Sequence, residues 1–149
     1  MMEKILIAGI GSVLRADDGL GPRVIDELKK ETLAEEVTLH SGDVSGLDLL
    51  KVFPGFDKII IVDAADFGAA PGTIRIFSLP EIKRSGFRNA VSTHGISLKE
   101  TLILSEKLDL QDNITIVGVQ PGDISHKLDL SDIIKSRMPA IMTVVKDLI

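Results

Sequence analysis

Apolar residues in this chain fall into two periods: short unbroken runs that suit buried strands, and three- or four-residue spacings that suit helices. Lys4–Ala8 reads as a fully buried strand, closed by Gly9 and Gly11. A helix is predicted from about Pro22 to Lys30, with Val24, Ile25 and Leu28 on its apolar face. Pro22 suits the first turn, where its missing N–H costs nothing. Glu35–His40 is a second strand, with Val37 and Leu39 turned inward. Ser41–Gly46 is a loop and Leu47–Val52 a short helix stopped by Pro54-Gly55. The clearest strand is Asp57–Val62, because Ile59, Ile60, Ile61 and Val62 are consecutive β-branched residues, as in a strand covered on both faces. It is expected to end at Asp63.

After the Pro71-Gly72 turn, Thr73–Phe77 alternates and suits an antiparallel edge strand. Leu79–Val91 is weakly patterned and reads as a loop with one helical turn. Ser97–Leu108 is a helix, and Ile114–Val119 is a buried strand ended by Gln120-Pro121-Gly122. In the last helix, Ser131–Leu148, the residues Ile134, Met138, Ile141, Val145 and Leu148 keep one phase across Pro139, so one kinked helix is expected rather than two. Strand–helix alternation with an extra strand pair predicts an α/β fold with helices on both sheet faces.

Composition narrows the function. The 149 residues are enough for a single domain with a sizeable core, spanning 1–149. A net charge of −5 with scattered basic residues argues against nucleic acid. There are no cysteines, which removes disulfides, thiolate zinc sites and a Cys nucleophile. No apolar run is long enough to span a bilayer, and the start lacks a signal-peptide pattern, so the expectation is a cytoplasmic protein without membrane contact.

The chemistry concentrates at strand ends. Gly9-Ile-Gly11 after a strand invites a dinucleotide reading, but the third glycine of that fingerprint would fall on Leu14. Asp17 and Asp18 also stand where a pyrophosphate would want the helix N-terminus. A P-loop, a His-Glu-x-x-His helix and a Gly-x-Ser-x-Gly elbow are all absent. The paired Asp17-Asp18 just before the first helix could be caps or functional acids. Asp63, at the end of the most buried strand, needs a partner or a cation; Asp66 suits a turn residue. His94, in Ser92-Thr93-His94-Gly95, precedes a crossover helix. His40 and His126 read as ordinary hydrogen-bonded histidines. Asp18, Asp63 and His94 can converge on one sheet edge. Two carboxylates and one imidazole suit nickel, zinc, iron or manganese, and spacing alone does not choose. Pattern alone therefore reaches a metal-binding α/β protein with a hydrolase as one outcome.

Four motifs in order resemble the endopeptidases that mature [NiFe] hydrogenases. They are Gly9–Pro22, Ile61–Gly68 with Pro71-Gly72-Thr73, Ser92–Gly95 with Leu98, and Gly118–Pro121. The resemblance covers nearly the whole chain. It implies an α/β three-layer sandwich around a mixed, mostly parallel sheet of about five strands. It implies an aspartyl-type endopeptidase that removes a C-terminal extension from the precursor of the hydrogenase large subunit after nickel insertion. Asp18, Asp63 and His94 then fall on the family's metal-recognising and catalytic positions, with Asp17 supporting Asp18 or its loop. Nickel is implied to arrive in the substrate rather than as a resident cofactor, and the protein to act as a monomer. Ser12 departs from the family's usual Asn, and Asp43 lies where its glycine-rich loop usually carries Thr. The rival readings are a non-catalytic nickel-site chaperone on the same scaffold and a nucleotide-binding α/β protein.

Overall fold

The computed structural model describes residues 3–42, 47–84, 88–89, 97–111 and 113–149. Its elements are β1 (Ile5–Ile10), a 3-10 turn (Ala16–Gly19), α1 (Leu20–Leu28), β2 (Val37–Gly42), α2 (Leu47–Val52), β3 (Lys58–Asp66), β4 (Ile74–Ser78), α3 (Leu79–Arg84), β5 (Arg88–Asn89), α4 (Leu98–Lys107), β6 (Ile114–Val119) and α5 (Asp132–Asp147). The main sheet runs β2-β1-β3-β6-β4, and β5 pairs with the far end of β3. β2, β1, β3 and β6 are parallel, while β4 runs antiparallel to β6 at the edge. The mixed, mostly parallel sheet expected from the sequence is therefore the architecture observed.

Alternation along each strand divides the core in two. Leu6, Ala8, Ile10, Ile59, Ile61, Ile116 and Phe77 pack with Leu49, Ile82, Leu98 and Leu102 from α2, α3 and α4. Ile5, Ile7, Ile60, Val62, Val117 and Val119 pack with Val24, Ile25 and Leu28 of α1 and Ile134, Ile141 and Val145 of α5. Helices thus cover both faces, which explains why the central strands read as continuous apolar runs.

Several boundaries differ from the sequence reading. β3 continues to Asp66, so Asp63 lies inside the strand and not at its end. The reason is partners beyond the apolar run: β6 pairs with Ala64, and β5 adds antiparallel partners at Ala65 and Asp66. The helical turn expected within Leu79–Val91 falls at its start, as a six-residue helix from Leu79; Ser78 and Glu81 exchange side-chain bonds there, and Leu79 and Ile82 bury one face. The first helix begins at Leu20, two residues before Pro22. α5 is one continuous helix with Pro139 inside, as its unbroken apolar phase required.

The order of connections places a switch point beside β1. β1 leads to β2 on one side through α1, whereas β2 leads back across to β3 through α2 on the other face. Neighbouring loops diverge there and leave a crevice at the carboxyl ends of the strands. Both ends of the described chain lie at the opposite edge. The Lys4 N–H donates to an Asp57 carboxylate oxygen at 2.8 Å, and Lys58 Nζ donates to the Leu148 carbonyl.

α1 enters the crevice against bare backbone. A Cβ on Gly21 would stand 2.5 Å from the Val62 carbonyl oxygen and 2.6 Å from Ile10 N. Gly21→Ala is expected to cost about 3 kcal/mol or more, because backbone rather than a flexible side chain must move. Gly42→Ala, whose new Cβ would come no closer than 3.5 Å to His40, is expected to stay within about 0.5 kcal/mol of the parent. Denaturant melts of the two variants check this contrast.

Candidate functional site

The 3-10 turn after β1 carries Asp17 and Asp18, and both are buried. Neither caps α1: the residue before that helix is Gly19, which makes no side-chain cap bond. The capping explanation for the acid pair therefore fails, and the two carboxylates do different things.

Asp17 is fully engaged with the segment that follows β6. Its Oδ2 accepts from Gly122 N and Asp123 N, each at 2.8 Å, and from Ser131 Oγ at 2.7 Å. Its Oδ1 accepts from Ser131 N at 2.7 Å. Backbone bonds from Ala16 N to the Lys127 carbonyl and from Asp17 N to the Asp123 carbonyl, at 2.8 and 2.9 Å, run alongside. Arg15 Nε donates to the Ile124 carbonyl at 2.8 Å. The expectation that Asp17 supports the loop is met, and its partners come from more than 100 residues away.

Asp18 faces the other way. Its Oδ2 accepts from Ser12 N at 2.8 Å. Gly11 permits this turn: its φ is +139°, and a Cβ there would collide with the Asp18 carbonyl oxygen at 1.8 Å. Burial pushes the Asp18 carboxyl above the usual aspartate range, against the smaller lowering effects of the Ser12 N–H and the Arg15 charge. Asp63 is fully buried on β3 and stands in register with Ile10, the last residue of β1. The turn itself packs against β3. Asp18 and Asp63 are thus brought to the same end of β1, at the switch point. His94 lies outside the described residues, as does Asp43. The described residues on either side of His94 are Asn89, paired with Ala65 two positions beyond Asp63, and Ser97, whose hydroxyl caps α4 by accepting from Glu100 N at 3.1 Å. Among the described residues no group of three or more His, Cys, Asp or Glu side chains is arranged to hold a metal.

Sequence reasoning passed over Gln120. Its Oε1 accepts from Phe67 N at 2.9 Å and from Ala69 N at 3.3 Å, while its Nε2 donates to Asp66 Oδ1 at 3.3 Å. It fixes the loop after β3 to the end of β6. A buried amide directly after an apolar strand and before Pro-Gly was the available signal. Asp66 accepts from Gly68 N at 3.1 Å, the turn role expected of it.

Fold and site define a wound α/β protein with a buried acid pair, one structural and one basic, at the sheet's ligand edge. Comparison with known proteins narrows this. The HycI model of hydrogenase maturation proteases matches residues 22–147. The hydrogenase expression/formation protein HupD of Rhizobium leguminosarum bv. viciae is 31% identical over 123 residues, 81% of this chain and 61% of that protein. This chain thus spans about three fifths of the length of such relatives. The coenzyme F420 hydrogenase subunit delta of Methanothermobacter thermautotrophicus is 30% identical, over 97% of this chain and 93% of its own. In structure, the [NiFe] hydrogenase maturation protease HycI of Thermococcus kodakarensis superposes with a TM-score of 0.73 at 28% identity, over 98% of this chain and 92% of that one. The E. coli hydrogenase maturating endopeptidase HybD has the same fold, with a TM-score of 0.83 at 24% identity over 97% of this chain and 91% of that one. The chain belongs to the hydrogenase maturation protease family.

The two aspartates should separate in stability measurements. Asp17→Ala leaves three backbone N–H groups without an acceptor, and its expected cost is about 3 kcal/mol or more by thermal unfolding. Asp18→Asn should act in the opposite direction. A carboxyl whose folded pKa is raised favours folding in its protonated form, and that contribution fades as pH rises through the folded pKa. At pH 7 the ionised group therefore weakens the fold, and the amide variant should melt about 2–4 °C higher. The advantage should shrink as pH falls through the raised folded pKa and be gone by about 4, the ordinary aspartate value. A lower melting point for Asp18→Asn at pH 7 would show that the buried charge is not penalised.

Proposed function

We propose that this protein is an endopeptidase that removes a C-terminal extension from the precursor of a [NiFe] hydrogenase large subunit, using nickel already in the precursor as its recognition element. The observation that carries the reading is the pair of buried carboxylates, Asp18 and Asp63, at the switch point of a family member's sheet. His94 is assigned as the third group. It is tethered by five residues to Asn89, the partner of Ala65.

Carboxylate oxygens and an imidazole nitrogen suit a borderline divalent cation. In this reading the precursor supplies nickel with open positions, and Asp18, Asp63 and His94 occupy them. That docking sets which peptide bond lies in the crevice. A precursor without nickel loses the docking energy and is spared, which is specificity by difference of affinity. Burial makes Asp18 more basic than a surface aspartate. A more basic carboxylate binds a cation more strongly and accepts a proton more readily from an attacking water.

One relative supports a second reading. The protein named coenzyme F420 hydrogenase subunit delta aligns over nearly its full length, so the second reading is a non-catalytic partner of a hydrogenase.

The test is intact-mass spectrometry of the candidate precursor, nickel-loaded or nickel-free, after incubation with the protein. Loss of a C-terminal peptide is expected only with nickel, and Asp18→Ala and His94→Ala should each slow it by about 100-fold or more. Cleavage irrespective of nickel would leave a peptidase without the recognition role. An unchanged mass together with a nickel-dependent complex would favour the non-catalytic partner.

A further inference from the structure

Asp63 belongs to a row that continues across the sheet: Asp63 pairs with Gly118 on β6, and Gly118 pairs with Arg75 on β4. Row-mates share a face, so Arg75 stands on the same face as Asp63, about 10 Å away across two strand spacings. Gly118 contributes no side chain. The edge of the Phe77 ring leans over it instead, since a Cβ there would come 3.0 Å from Phe77 Cε2. Phe67 stacks edge-on against Phe77 with centroids 5.7 Å apart. The Arg75 guanidinium lies over the Phe67 ring at 4.7 Å. Gln120, by holding Phe67 N, fixes the base of this stack.

Arg75 differs from those cations that the fold itself engages. Lys30, Lys83, Lys127, Lys135 and Lys146 each pair with a carboxylate. Arg15, Arg23 and Arg137 each donate to a backbone carbonyl. Arg75 is exposed, and among the described residues its guanidinium takes part in no ion pair or side-chain hydrogen bond beyond its ring contact. An arginine flattened on an aromatic ring has lost much of its rotamer freedom already and presents a planar fork of donors. That fork matches a carboxylate in two-point geometry.

We propose that Arg75 reads a carboxylate on the extension that the protease removes, and so selects the substrate on the far side of the site from the metal. The inference rests on the protease reading above. Two sources share this chemistry: the extension's terminal carboxylate and an acidic side chain within it. A stack that merely covers Phe67 and Phe77 would affect folding but not discriminate among substrates.

The experiment measures binding of a synthetic extension peptide by fluorescence anisotropy, and steady-state cleavage of the nickel-loaded precursor. The peptide is made with a free C-terminus, with a C-terminal amide, and with its Asp and Glu replaced by Asn and Gln. Arg75→Gln is expected to weaken binding of the free-acid peptide by about tenfold. It should raise KM similarly with kcat unchanged and the melting point held. Arg75→Lys should restore part of the affinity. The peptide form on which Arg75→Gln no longer matters identifies the source. Equal binding of every form by parent and Arg75→Gln, or no binding by the parent, overturns the proposal. Arg75-dependent peptide binding without any cleavage of the precursor would leave this inference standing and remove the protease reading.

Discussion

The candidate site depends on one buried carboxylate that does no chemistry. Asp17 gathers four donors from a segment more than 100 residues away and so welds the turn after β1 to the start of α5. An aspartate taken out of water requires such compensation. The result is a rim whose two halves, residues 12–18 and 122–131, are bonded to each other. Asp18 inherits its position from this arrangement. Its neighbour is locked on one side, and Gly11 bends the chain on the other.

Adjacent residues of the same type thus serve opposite needs. Asp17 is saturated with hydrogen bonds, whereas Asp18 has one backbone donor and carries a burial penalty. Groups held in such tension concentrate at functional sites, because stability given up there is available for binding. Arg75 extends the same logic across the sheet, where an aromatic stack supplies order in place of hydrogen bonds.

The central strands were legible in the sequence because burial on both faces leaves an unbroken apolar run. Ile114–Val119 and the helix Leu47–Val52 were read to the residue. The features that the sequence did not show at the site share a cause: contacts between distant segments. β3 runs past Asp63 because β6 pairs with Ala64 and β5 with Ala65 and Asp66, and no local pattern announces a two-residue strand. The acid pair could be recognised as unusual, and Asp18 and Asp63 could be nominated. The division of labour between Asp17 and Asp18 could not, because it is decided by Gly122, Asp123 and Ser131. Gln120 was named only as the end of a strand, since its partners lie about 50 residues away.

Both ends of the described chain are tied to the start of β3, at Lys58 and at Asp57 just before it. Asp63 lies five residues further along the same strand, about 17 Å away. Both ends therefore lie at the edge of the sheet opposite the crevice. A tag or fusion partner appended at either end is expected to leave the rim intact. The two ends also meet the same short segment, so joining them and reopening the chain at an exposed turn far from the rim would preserve every contact that orients Asp18.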